Sequence, residues 1–118
     1  MSEPVNIVRL REATLEDDEF LVELVEMFLT DASDQLDLLA TAIDSPDQVD
    51  VGRKAHRLRG ACSNIGAEEL ARLCAELESQ SESGARVAVS TTSGVRDEFE
   101  RVSVALQGCV ADAKSRAS

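Results

Sequence analysis

Apolar residues recur at spacings of three and four along most of the chain, which is the period of amphipathic α-helices. The longest stripe predicts a helix over about residues 17–44, with a kink near 31–33 where helix formers weaken. Thr14 is its predicted N-cap, and Ser45 precedes a proline, a position that disfavours the α region and ends the helix. The stripe consists of Leu21, Leu24, Val25, Phe28, Ala32, Leu36, Leu39 and Ile43.

Three further stripes of the same period predict three more helices, over about residues 47–64, 67–81 and 85–113. Gly66 provides a permissive backbone for the turn between the first two, which makes them an antiparallel hairpin. Residues 79–84 are rich in Ser and Gly and are predicted to form a loop. The stripes are Val51, Ala55, Leu58, Cys62 and Ile65; Leu70, Leu73, Cys74 and Leu77; and Val95, Phe99, Val102, Leu106 and Val110.

These elements predict an all-α fold, an antiparallel up-down four-helix bundle preceded by a short N-terminal helix or arm over residues 5–13. The 118 residues suit one domain. The bundle itself is predicted to span about residues 17–113, with frayed ends at 1–4 and 114–118. The initial methionine and this length lead us to expect a free-standing protein.

The net charge of −11 argues against nucleic acid and anionic membranes as partners. There is no apolar run long enough to span a membrane and no signal peptide, so we expect a cytoplasmic protein. Three scattered cysteines have neither the pairing of a disulfide framework nor the spacing of a zinc site. We therefore expect no bound metal.

The second predicted helix carries the chain's single histidine, His56, and four of its 12 Lys and Arg residues. At about 100° per residue, five residues of the stretch 52–66 fall within roughly 60° of His56, opposite the apolar stripe. Gly60 costs about 1 kcal/mol relative to alanine in a helix interior, so a bare backbone there suggests close approach of another surface. The five residues are Gly52, Arg53, Arg59, Gly60 and Ser63.

The run from Ala55 to Ala67, AHRLRGACSNIGA, followed by Leu70, Leu73-Cys74 and Leu77-Glu78, resembles the histidine-containing phosphotransfer (HPt) domain family. That family's pattern is A-H-x-L-K-G, followed by two small residues, any two residues and an apolar residue, and then by G-A-x-x-L-x-x-L-C-x-x-L-E. Arg59 replaces the more usual lysine, so the positive charge is kept but a flat guanidinium takes the place of an ammonium.

The resemblance implies a phosphorelay intermediate in two-component signalling, not an enzyme that binds ATP or phosphorylates itself. His56 would accept a phosphoryl group on Nε2 from the aspartyl phosphate of a receiver domain and pass it to another receiver. Arg59 would stabilise the phosphate. Residues Gly60, Arg53, Ser63 and Gln80 would contact the partner or lie beside the site.

The partners implied are response-regulator receiver domains and a hybrid histidine kinase. We expect the chain to act as a monomer. The Mg²⁺ needed for transfer would be held by the receiver domain, and this chain would bind no cofactor. A neutral imidazole is a usable nucleophile near pH 7, so histidine suits this role.

Two alternatives stay open at this point. A dimerisation and phosphoacceptor domain of a histidine kinase needs an acidic residue after the histidine and a proline shortly beyond it, whereas this chain has Arg57 and no proline after Pro46. A non-phosphorylated HPt-like adaptor would dock receiver domains without transferring phosphate. The presence of both His56 and Arg59 favours the carrier over the adaptor.

Overall fold

A computed structural model describes residues 3–44, 48–84 and 89–117 of the chain. These residues form five α-helices and, within the described ranges, no strand. The helices are α1 (Ile7–Ala13), α2 (Asp18–Ile43), α3 (Gln48–Ile65), α4 (Glu68–Glu82) and α5 (Val89–Ala117). The predicted all-α class is confirmed, and the arm of residues 5–13 contains a helix.

The four long helices form a ring in which α2 packs on α3, α3 on α4, α4 on α5, and α5 closes against α2. Their apolar stripes meet in one core, whose largest fully buried side chains include Leu39, Leu58, Leu77 and Leu106. The predicted four-helix bundle is therefore confirmed. No helix among the described residues has the length and apolar content needed to cross a membrane.

The start of α2 differs from the prediction. Asp17, not Thr14, is the N-cap, and its carboxylate accepts a hydrogen bond from the Phe20 amide at 3.1 Å. Thr14 ends α1 instead, where its buried hydroxyl donates to the carbonyl of Leu10 at 3.0 Å. The prediction was wrong because both residues are good cap formers, and only the turn of Leu15 and Glu16, both with positive φ, decides between them. Helix α2 continues unbroken through residues 31–33.

The turn between α3 and α4 fixes how these two helices face each other. Gly66 has φ +83°, and two reverse hydrogen bonds close the helix end, from Ala67 N to Cys62 O and from Gly66 N to Ser63 O. This is the Schellman arrangement. The Asn6 amide donates to the Gly66 carbonyl at 2.8 Å, so the N-terminal arm is attached to the same turn.

The last helix ends later than predicted. The expected start near residue 85 lies outside the described residues, but the expected end at Ala113 is wrong, because α5 continues to Ala117. The reason is a tertiary contact: the Arg116 guanidinium makes a bidentate contact with the Asp18 carboxylate, with Nη2 at 2.8 Å and Nε at 3.1 Å.

The loop predicted to begin at residue 79 is also wrong, since α4 continues to Glu82.

The cysteines behave as small apolar residues. Cys62 and Cys74 are fully buried and unpaired as disulfides. A hydrogen bond with Cys74, together with burial, raises the pKa of the Cys62 thiol far above its ordinary value, so it is an unreactive thiol. Within the described ranges no group of three His, Cys, Asp or Glu side chains is placed to hold a metal ion.

The Asp18–Arg116 pair predicts a pH-dependent stability difference. Hydrogen bonding to Arg116 lowers the pKa of Asp18 below its ordinary value of 3.8. The pair therefore stabilises the fold above that value and loses its effect as the pH falls through the lowered pKa. We expect Asp18→Asn to lower the melting temperature at pH 7, with the difference from the parent protein shrinking as the pH is lowered below 3.8.

Asp34→Asn is the control for this titration, because Asp34 is exposed and has no ion pair in the described part of the chain. Its small effect on melting temperature should stay constant over the same pH range. A difference for Asp18→Asn that persists unchanged at low pH would contradict the assignment.

Candidate functional site

His56 lies near the middle of α3 and points away from the core. The neighbouring Ala55 and Leu58 are buried against the other helices and hold this face of α3 outward. The His56 side chain is 65% exposed. A nucleophile in this position can be reached by an atom on another protein, with no closed cavity to enter.

Glu78 of α4 holds one edge of the His56 ring. Its Oε1 atom lies 2.9 Å from Nδ1 of His56. Only 18% of the Glu78 side chain is exposed, so the carboxylate has little freedom to move. The hairpin explains this contact. His56 lies ten residues before Gly66 and Glu78 twelve residues after it. In antiparallel helices of equal rise, these two positions differ in height by two residues, about 3 Å.

The same ring nitrogen also lies 3.0 Å from Nη2 of Arg59. A carboxylate only accepts hydrogen bonds and a guanidinium only donates them, so Nδ1 can satisfy one of these neighbours at a time. A lone pair on Nδ1 would face the largely buried Glu78 carboxylate, which cannot turn away. The Arg59 side chain is 40% exposed and can turn away. The arrangement therefore favours a proton on Nδ1 that is donated to Glu78, which leaves the lone pair on Nε2.

Arg59 completes a three-residue cluster with His56 and Glu78. Its Nε atom lies 3.2 Å from Oε2 of Glu78. This Oε2 atom is buried and has no hydrogen bond of good geometry within the described residues, so its negative charge is balanced by the ion pair. Arg59 lies on the same face as His56, as predicted, but its guanidinium approaches the Nδ1 edge of the ring.

The two glycines on the His56 face have different surroundings. A Cβ atom at Gly52 would come within 2.7 Å of the Ser81 hydroxyl oxygen, and that hydroxyl donates to the Gln48 carbonyl. Gly52 therefore permits close packing of α3 on α4. A Cβ atom at Gly60 would meet nothing within 4 Å. Gly60 is exposed and is not needed for packing, which agrees with its predicted role as clearance for a partner.

The remaining predicted site residues are placed around this cluster. Arg53 is exposed and borders a groove beside His56. Ser63 is half-buried two turns further along α3. The Gln80 amide donates to the Thr91 hydroxyl at 3.0 Å, so it bonds to α5, and its link to the phosphate site stays a prediction.

Glu78 is the site residue that the sequence analysis did not single out. In the sequence, Glu78 stands out only as the last residue of the family motif. The register of the hairpin held a partial signal, because an equal count outward from Gly66 pairs His56 with Glu76, and Glu78 lies two residues further along α4. That count indicates an acidic partner on α4 but does not choose between these two glutamates.

Comparison with known proteins shows the family to which the chain belongs. A model of the Hpt domain matches residues 23–112, which is most of the chain. The chain belongs to the Hpt domain family. Histidine-containing phosphotransfer protein 5 of Arabidopsis thaliana is 30% identical over 59 residues, covering 48% of this chain and 38% of the plant protein. The match thus spans well under half of that relative's length.

Solved structures share the whole fold of this Hpt chain. Histidine-containing phosphotransfer protein B from Pseudomonas aeruginosa is 26% identical, with a TM-score of 0.83 over 92% of this chain and 95% of the bacterial protein. A histidine-containing phosphotransfer protein from maize is 19% identical, with a TM-score of 0.82 over 98% of this chain and 88% of the maize protein. At that lower identity the maize likeness concerns the fold alone.

The two glycines predict opposite effects of the same substitution. We expect Gly60→Ala to raise the free energy of unfolding by about 0.5–1 kcal/mol, because alanine is the better helix former and the added methyl group enters open space. Gly52→Ala should lower it by about 1–3 kcal/mol, because the methyl group collides with Ser81. Urea denaturation of the two variants measures this, and effects of the same sign would contradict the packing described.

The Glu78 contact predicts a fixed tautomer of the His56 ring. In the parent protein at a pH where the ring is neutral, ¹⁵N NMR should show the proton mainly on Nδ1. Glu78→Ala removes the acceptor, so we expect the population to move towards the Nε2–H form, which is the usual preference of free histidine. Glu78→Gln keeps an acceptor oxygen and serves as the control. An Nε2–H tautomer in the parent protein would show that Arg59, not Glu78, determines the state of Nδ1.

Proposed function

We propose that this chain is a phosphoryl carrier of two-component signalling in which His56 is the phosphoacceptor. Membership of the Hpt domain family supports the role of phosphorelay intermediate. The observation that carries the residue assignment is the contact between Nδ1 of His56 and Glu78, because it directs the ring's free electron pair to the exposed Nε2 atom.

The chemistry proposed for this site needs few groups from the carrier. The Nε2 electron pair forms a bond to phosphorus as the bond between phosphorus and the partner's aspartyl oxygen breaks, and the departing electrons remain on that carboxylate. The imidazole ring gains positive charge, which Glu78 compensates by holding the Nδ1 proton. Transfer to a second receiver reverses these steps.

The partners proposed are receiver domains, one that donates the phosphoryl group and one that accepts it, together with the histidine kinase that loads the first. In-line transfer requires both active sites to approach closely, and the exposed His56 and bare Gly60 allow that approach. The Mg²⁺ for the reaction is assigned to the receiver. Arg59 contributes by balancing Glu78 and adding positive charge near the phosphate.

The decisive test of the proposed function is transfer of labelled phosphate from a phosphorylated receiver domain in the presence of Mg²⁺. We expect the parent protein to acquire an acid-labile, base-stable phosphate and His56→Gln to acquire none. His56→Gln should still bind the receiver, since the side chain is exposed and the bundle does not depend on it.

An adaptor would give a different pattern. It would bind receivers equally with and without His56, and no label would appear on the parent protein with any receiver of the source organism. That result would exclude the carrier role.

A further inference from the structure

The groove beside His56 extends from the histidine towards the N-terminal end of α3 and has a volume of about 500 Å³. It lies between α3 and the C-terminal end of α4, on the side of His56 away from Arg59. The described residues that line it are Val49, Gly52, Arg53 and His56 of α3 and Glu78, Ser81, Glu82 and Gly84 from α4 and the turn after it. Arg53 is the one arginine or lysine among these lining residues.

Arg53 and Arg59 are placed symmetrically in the sequence, three residues before and three after His56, but their surroundings differ. Arg59 is engaged by Glu78 through Nε and lies against Nδ1 through Nη2. The Arg53 side chain is exposed and forms no ion pair or hydrogen bond in the part of the chain described. Of these two guanidiniums, Arg53 is therefore the one that is free to bind an incoming anion.

The imidazole of His56 and the Arg53 side chain border the same groove. Side chains on an α-helix lean towards the N-terminal end, so His56 overlies the preceding turn, which contains Gly52 and Arg53. Gly52 contributes no side chain to the groove, and Ser81 of α4 packs against it. The Nδ1 edge is occupied by Glu78 and Arg59, so a group attached to Nε2 extends from the opposite edge of the ring, away from the Arg59 guanidinium.

We propose that Arg53 is the side chain of this chain that contacts the phosphoryl oxygens on Nε2 of His56, while Arg59 acts at longer range by balancing Glu78. This inference rests on the proposed function and specifies which cation binds the transferred group. A guanidinium can contact two phosphoryl oxygens at once, and Arg53 lies within one helical turn of His56, the separation at which side chains meet.

The test compares Arg53→Ala, Arg53→Lys and Arg57→Ala. Arg57 is the matched control because it is an exposed arginine of the same helix, without an ion pair in the described residues, and points about 100° away from His56. Each variant is loaded from a phosphorylated receiver domain with Mg²⁺, and the rate of transfer and the affinity for the unphosphorylated receiver are measured separately.

We expect Arg53→Ala to slow transfer about tenfold or more while affinity for the unphosphorylated receiver changes by no more than about threefold. Arg53→Lys should recover part of the rate, and Arg57→Ala should behave as the parent protein. A loss confined to receiver affinity, or equal rates for Arg53→Ala and Arg57→Ala, would overturn the assignment.

A second measurement reports contact with the phosphate directly. The ³¹P resonance of the loaded protein is followed against pH after the receiver is removed. Removal of a contacting guanidinium should raise the titration midpoint of the phosphoryl group in Arg53→Ala but not in Arg57→Ala. A midpoint that moves only in Arg59→Ala would assign the contact to Arg59. Absence of label on the parent protein would instead refute the proposed function itself.

Discussion

The close packing of α3 against α4 is the constraint on which the site depends. Gly66 reverses the chain in a left-handed conformation, and Gly52 allows the two helices to approach at the level of Ser81. His56 lies between these two points. The packing therefore brings a largely buried carboxylate on one helix to an exposed imidazole on the other, and places this hydrogen-bond acceptor at the Nδ1 edge of the ring.

The distribution of charge gives the site its contrast with the rest of the molecule. The chain is strongly acidic, and no Lys or Arg occurs between Arg11 and Arg53. The basic residues around His56 are therefore a local exception on α3. One of them, Arg59, forms an ion pair with Glu78, so part of its charge is neutralised, and we propose that a second cation, Arg53, binds the incoming phosphoryl group.

Much of this fold could be predicted from residue spacing, because each long helix has a continuous apolar stripe and the links are short. The wrong predictions depended on a contact between residues distant in sequence and on local backbone geometry. The end of α5 is set by the Arg116 contact with Asp18, and the choice of Asp17 over Thr14 as N-cap by the geometry of the preceding turn. Likewise His56 was evident as the single histidine, but its contact with Glu78 arises from hairpin register.

We propose that Glu78 directs the phosphoryl group to Nε2 of His56, and this can be measured directly. Long-range ¹H–¹⁵N correlation spectra of the ¹⁵N-labelled, phosphorylated protein distinguish the two ring nitrogens by their couplings to the ring protons and to phosphorus. We expect phosphorus to be bonded to Nε2. A protein phosphorylated on Nδ1, the nitrogen that lies 2.9 Å from Glu78, would contradict it.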